Sequence, residues 1–211
     1  MNEIENLKKL YEKLKKQIEQ RLQEFTAKKN ENEIEILKEF VFCTLTPQSK
    51  AKVCWQAVEN LFNNKVYVNP TEENIKKFLK GVRFPNNKAE FVANNLRKIK
   101  EDHFDLKKFV NSSTPSQEKR MFLVKNFKGI GMKEASHFLR NTGHFDLAIL
   151  DRHILRNLLE LGVIEKVPES LSTKNYLAIE EKMKDFSNQI GIPFAHLDML
   201  LWAKEAGEVF K

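Results

Sequence analysis

Cysteine is scarce in this chain: there are two, Cys43 and Cys54, eleven positions apart and both inside apolar stretches. Two thiols cannot build a four-cysteine zinc or iron–sulfur site. One disulfide between them is open on spacing, but a pair of buried thiols in a reducing cytosol fits the apolar surroundings better. Seven Gly and six Pro are few, which excludes collagen-like and linker-rich designs. No uncharged apolar run approaches the roughly 20 residues that a membrane-spanning helix needs. The N-terminus alternates Lys and Glu and lacks the apolar core of a secretory signal. Neither membrane contact nor secretion is expected. Strand signals are missing as well: Val66-Tyr67-Val68 is the only β-leaning triplet, and Asn and Pro bound it.

What is present is helical periodicity on a scale suited to one domain or two small lobes sharing a core. The 211 residues are 41% hydrophobic and 31% charged, enough apolar surface for a core and too much for general disorder. Sixteen Phe point to an aromatic core or a stacking surface. Ile4, Leu7, Tyr11, Leu14, Ile18, Leu22 and Phe25 repeat every three or four residues, which predicts one long amphipathic helix packed across the domain. A second helix is expected from Glu31 to about Leu45, with Ile34, Leu37, Val41 and Phe42 on one face, broken by Thr46-Pro47-Gln48-Ser49. A third carries Val53, Ala57, Val58 and Leu61 and ends at Asn63-Asn64. Thr71 caps a short helix carrying Ile75, Phe78 and Leu79, which Gly81 stops. Another helix spans about Asn87 to Glu101, and Pro115 opens the helix that reaches Lys125. The fold class is all-α, with about eleven helices and no internal repeat.

Net charge is +7, and most of the excess is concentrated. From Lys119 to Arg156 eight Lys/Arg face three Asp/Glu, and His137, His144 and His153 lie in the same segment. This basic segment holds Phe127-Lys128-Gly129-Ile130-Gly131-Met132-Lys133. A helix is expected to end near Asn126 and the next to begin near Met132. Two glycines between them let a partner approach the main chain, and their amides beside a helix N-terminus suit a phosphate oxygen. Gly-x-Gly alone describes any helix–helix turn; the flanking apolar residues, the basic surround and Lys133 make it informative.

The segment resembles the hairpin of the helix-hairpin-helix DNA glycosylases: apolar-x-Gly-apolar-Gly-x-Lys, with Lys128 where Pro often stands. In that superfamily a catalytic Asp follows the hairpin Lys by slightly fewer than twenty residues. Asp151 lies eighteen after Lys133, in Ala148-Ile149-Leu150-Asp151-Arg152-His153. No Cys follows Cys54, unlike the iron–sulfur members of the superfamily, so no cofactor and no iron–sulfur cluster is expected. The end, Leu201 to Lys211, is similar to the small type 2 8-oxoguanine DNA glycosylase/AP lyases of archaea and some bacteria. The resemblance implies two helical lobes with a cleft between them, in a single unit spanning 1–211. The hairpin motif would occupy about 117–141 and a base-recognition segment about 190–211. It implies a monomer in a prokaryotic cytosol, associated with the nucleoid and acting on double-stranded DNA that contains 8-oxoguanine.

Roles follow from the same resemblance. Lys133 is the expected nucleophile at the sugar C1′, forming a Schiff base from which β-elimination cuts the strand. It would need desolvation or cationic neighbours such as Lys128 and Arg152 to attack as a neutral amine. Asp151 would stabilise positive charge on the sugar; on its own it also reads as a helix N-cap, and the two readings are compatible. His153 would reach a DNA phosphate, as would the amides of Gly129 and Gly131. The main-chain carbonyls of Lys125, Phe127 and Ile130 would offer a monovalent cation a place. Trp202 would stack on the flipped purine, Asp198 would accept from its N1–H and N2–H₂ edge, and the terminal Lys211 would read N7. A core Trp with a surface Asp is the plain alternative for that pair. Phe84 would close the pocket opposite Trp202, and Gln48 would contact the orphan strand. Two rivals remain at this level: a monofunctional alkylpurine glycosylase, which generally lacks the hairpin Lys, and a non-catalytic hairpin DNA-binding protein, which would not need Asp151.

Overall fold

The computed structural model describes residues 3–209. Lys211 lies outside them. Among the described residues the chain forms eleven α-helices and no strand.

The helices sort into two lobes, each with its own core. The first contains α2 (Glu33–Leu45), α3 (Ala51–Asn63), α4 (Glu72–Lys76), α5 (Pro85–Glu101), α6 (Leu106–Asn111) and α7 (Ser116–Asn126). Its core is built on Phe40, Phe42, Val58, Leu61, Leu79 and Val92. The second lobe contains α1 (Glu3–Lys28), α9 (Arg152–Glu160), α10 (Thr173–Ile190) and α11 (Phe194–Ala206). Ile18, Leu158, Met183, Leu197 and Leu200 lie at its centre. Between them runs α8 (Met132–Asn141), whose Met132 packs into the second core and whose Phe138 and Leu139 pack into the first. Because α8 belongs to both lobes, any side chain on its remaining face looks into the space between them.

Local chemistry explains most of the boundaries. Asn32, Thr71, Asp105 and Ser172 each accept an amide from the first turn of the helix they precede. The long α1 buries Leu7, Tyr11, Ile18, Leu22 and Phe25 and packs chiefly along α11, joining the two ends of the chain. Both cysteines are free, buried thiols of the first lobe.

Two local expectations need correction, and one β-leaning triplet finds its form. Ile34 is 40% exposed, and the second half of α2 is buried on every side, so a one-faced pattern describes that helix poorly. The Val66–Val68 triplet is a 3₁₀ turn, because a left-handed Lys65 leads it back under α3. α4 ends at Lys76 rather than at Gly81, and turns through Phe78, Leu79 and Val82 carry the chain on from there. In addition α6, unassigned by periodicity, forms because Glu33 of α2 accepts the Leu106 and Lys107 amides, both at 2.9 Å.

Candidate active site

A cleft of about 930 Å³ separates the lobes. The first lobe supplies the turn from Thr46 to Ala51 and Arg83. The second supplies the stretch from Ile149 to Arg156, with Asp198 and Trp202. Along one edge α8 presents Lys133, His137 and Arg140, whose spacing of four and three places them on one face. Lys133 and Asp151 therefore open into the same space.

The hairpin that delivers Lys133 forms where expected, between the end of α7 at Asn126 and the start of α8 at Met132. Phe127 and Ile130 are buried in the first core and set the angle between the helices. Gly129 is required: its φ is +71°, and a Cβ there would lie 2.4 Å from the Phe91 ring. The turn is gripped by Asn95 of α5, which donates to the Lys128 carbonyl at 2.8 Å and accepts its amide at 2.9 Å. No motif pointed to Asn95; its one signal is an amide side chain among the apolar positions Ala89, Val92 and Leu96 of α5.

Two details of the hairpin differ from expectation. The Gly131 amide does not point outward to a phosphate; it donates to Glu134 at 3.1 Å. A carboxylate three residues into a helix is held by the N-terminal partial charge and takes the nearest free amide. The same carboxylate holds the Lys133 ammonium at 3.0 Å. Lys128 turns to Glu90, at 3.5 Å, so its charge is paired away from the hairpin.

Asp151 is placed by an extended segment that crosses the second lobe without a sheet partner. Its backbone groups are satisfied by side chains instead. Glu180 accepts the Ala148 amide at 2.7 Å, Asp198 accepts that of Ile149 at 3.1 Å, and Tyr176 accepts that of Leu150 at 3.1 Å. Asp151 then caps α9, accepting the His153 and Ile154 amides at 2.8 Å each through the same oxygen, Oδ1. The other oxygen is not committed to the cap.

Asp198 is buried rather than exposed. Arg140 holds its Oδ2 at 3.1 Å, and burial pushes its pKa up to about 6, with the nearby Asp151 charge adding to the rise. Its bonds to Arg140 and Ile149 make it first a brace for the segment leading to Asp151. Trp202, one turn later on α11, is half-buried and lines the cleft. His153 also lines it, with Nδ1 3.4 Å from Glu205. Gln48 is exposed on the turn forming the opposite wall. Phe84 is not brought to the cleft wall. It is 51% exposed beside Arg83, whose guanidinium stands 5.4 Å over its ring. His137, Arg140 and Lys88 are site or near-site residues that sequence reasoning gave no role. His137 was legible as the residue one helical turn beyond Lys133.

Among the described residues no cluster of three or more His, Cys, Asp or Glu could hold a metal ion, and no helix is long and apolar enough to cross a membrane.

A lysine at the start of one helix and a capping carboxylate at the start of another, facing one basic cleft beside a glycine hairpin, define an enzyme of the helix-hairpin-helix DNA glycosylase class. The chain belongs to the 8-oxoguanine DNA glycosylase family, whose model matches residues 18–192. It is 46% identical to the 8-oxoguanine DNA glycosylase/AP lyase of Fusobacterium nucleatum, over 100% of this chain and 97% of the relative. It is 37% identical to the enzyme of the same description from Methanocaldococcus jannaschii, over 100% and 99%. The crystal structure of the M. jannaschii 8-oxoguanine glycosylase/lyase in complex with a 15mer DNA containing 8-oxoguanine superposes with a TM-score of 0.88 at 35% identity, covering 99% of both chains. The 8-oxoguanine DNA glycosylase of Thermotoga maritima gives 0.87 at 36%, covering 99% and 98%.

Proposed function

We propose that this protein excises 8-oxoguanine from duplex DNA and then cuts the strand at the resulting abasic site. The observation that carries the reading is the shared cleft, into which α8 delivers Lys133 and the α9 cap delivers Asp151. The damaged nucleotide is turned out of the helix into it. The Lys133 amine, freed from Glu134 and neutral, attacks C1′. The C1′–N9 bond breaks, its electron pair leaves with the base, and a proton transferred from the former ammonium neutralises the departing purine. Asp151 steadies the positive charge that builds on the sugar. Opening of the sugar ring gives the Schiff base. Loss of a C2′ proton then expels the 3′ phosphate by β-elimination, and water releases Lys133. No electron is gained or lost overall, so the chemistry calls for no redox cofactor.

Trp202 stacks on the purine. Asp198, reached from Ile149 and Arg140, accepts from its N1–H and N2–H₂ edge with the lone pairs its brace leaves over. Lys211 reads N7 through a main-chain oxygen, which accepts the proton that 8-oxoguanine carries there and guanine does not. On the DNA side, His153 meets a phosphate and Gln48 meets the orphan strand. A monovalent cation on the carbonyls of Lys125, Phe127 and Ile130 fits a loop in which the Lys128 carbonyl is already taken by Asn95. It would neutralise a DNA phosphate there.

The test is incubation with duplexes carrying 8-oxoguanine, an alkylated purine or an abasic site, with borohydride present. A protein–DNA adduct on 8-oxoguanine that disappears in Lys133→Gln is expected. Release of alkylated purine without any adduct would overturn the lyase assignment in favour of a monofunctional enzyme.

A further inference from the structure

We propose that Lys88 is a positioning residue for base extrusion: its ammonium, buried beneath the cleft, locks together the two loops that carry Gln48 and Phe84 so that they meet the duplex as one rigid edge. The proposal rests on the excision reading above.

Lys88 sits in the first turn of α5 and is only 4% exposed. Its Nζ donates to the Leu45 carbonyl at 2.6 Å, to the Pro47 carbonyl at 2.7 Å and to Ser49 Oγ at 2.9 Å. An ammonium has three N–H groups, so all are used within the protein and none is left for DNA. Leu45 is the last residue of α2, where unpaired carbonyls and the helix dipole favour a cation. Ser49 Oγ also accepts the Arg83 amide at 2.9 Å. One side chain thus ties the end of α2, the turn after it and the loop entering α5.

The loops so tied hold two residues in an unfavourable backbone conformation. Gln48 and Phe84 both have φ of +55°, neither is glycine, and both are exposed. Such conformations are disfavoured for residues with a side chain and persist where the surroundings impose them. Here the surroundings are the converging bonds of Lys88 and Ser49. The burial of Lys88 is costly: its pKa falls to about 8, chiefly from desolvation, with Lys133 and Arg83 lowering it and Cys54 and Glu134 opposing. A methionine would fill the same space without that penalty, so the charge serves the tie rather than the packing.

Extruding a base from a duplex needs this edge; forming a Schiff base with an abasic sugar in a single strand does not. Lys88→Met is therefore expected to slow single-turnover excision of 8-oxoguanine from duplex at least tenfold. Borohydride trapping on single-stranded abasic DNA should stay within about twofold of wild type. The fluorescence rise of a 2-aminopurine beside the lesion, which reports unstacking, should shrink in parallel. Ser49→Ala, a smaller change with little risk to folding, should move duplex excision and fluorescence the same way. Equal losses on duplex and single-stranded DNA, or an undiminished fluorescence rise, would overturn the proposal. Failure of wild type to release 8-oxoguanine would instead count against the excision reading, because the fluorescence arm reads extrusion without any bond being cut.

Discussion

One oxygen of Asp151 holds the first turn of α9 through two amides at 2.8 Å, while the carboxylate charge is what the sugar would need. The two duties separate by substitution. Asn is as good an N-cap as Asp but carries no charge. Asp151→Asn should keep the melting temperature within about 2 °C of wild type, given the few-degree shift per kcal/mol at this size, and lower the rate of base release on the order of 100-fold. Asp151→Ala should lose activity similarly and about 1 kcal/mol of stability besides. If Asp151→Asn released base at the wild-type rate in a single-turnover assay, the carboxylate would be a cap alone. Lys133 admits no such division, since its amine is the group that would bond to the sugar.

The hairpin is the element on which the placement of Lys133 depends, and Gly129 is its tightest point. Its positive φ and its contact with the Phe91 ring each exclude a side chain. Gly129→Ala should cost about 2 kcal/mol or more and displace the start of α8. Adding Phe91→Leu should recover part of the loss, because it removes the clash but not the backbone strain; a double-mutant cycle in urea measures the coupling. No recovery would mean that strain alone governs the site. Asn95 acts on the same element from outside, and its two bonds to Lys128 keep a surface turn from fraying.

Across the molecule, the lobes are joined by buried charges. Arg120 of α7 and Glu180 of α10 are fully buried and meet through two bonds of 2.7 and 2.9 Å; Glu180 also accepts the Ala148 amide at 2.7 Å. Glu180→Ala strands a buried guanidinium, and such losses run to about 3–5 kcal/mol. The expected fall in melting temperature is on the order of 10 °C, measurable by circular dichroism. His144 supplies a pH dependence. Lys119 Nζ donates to its Nε2 at 2.9 Å, and burial first, then the Lys119 and Lys29 charges, lower its pKa from 6.5 to about 4, against the opposing hydrogen bond to the Leu139 carbonyl and the Asp146 charge. The unfolded chain takes up this proton below about 6.5 and the folded one does not until about 4, so stability falls as pH drops through that window. The buried Asp198, raised to about 6, contributes the opposite slope, but equally in wild type and in His144→Gln. Melting curves from pH 7 to pH 4 should therefore show a shallower acid loss for His144→Gln; identical curves would remove His144 from the account.

The all-helical class, the span of α1, and the ends of α7 and α8 around the hairpin are written in local pattern: period, caps and glycines; the pairing of Lys133 with Asp151 was what the family resemblance implied. The local patterns depend on neighbours along the chain, which is why one sequence suffices for them. The one-faced reading of α2, the solvent-facing reading of Asp198 and the outward Gly131 amide failed for a common reason. Each was decided by a group distant in sequence or by competition for one donor: packing on all sides of α2, Arg140 against Asp198, Glu134 against any phosphate. Asn95 and Lys88 were invisible for the same cause, being polar residues on apolar helix faces whose partners lie 33 to 43 positions away. Sequence alone determined most of the elements, and through the family resemblance it pointed to Lys133 and Asp151. Only the tertiary structure decided which polar groups brace them, because burial of a charge is resolved by whatever acceptors the packed chain brings within 3 Å.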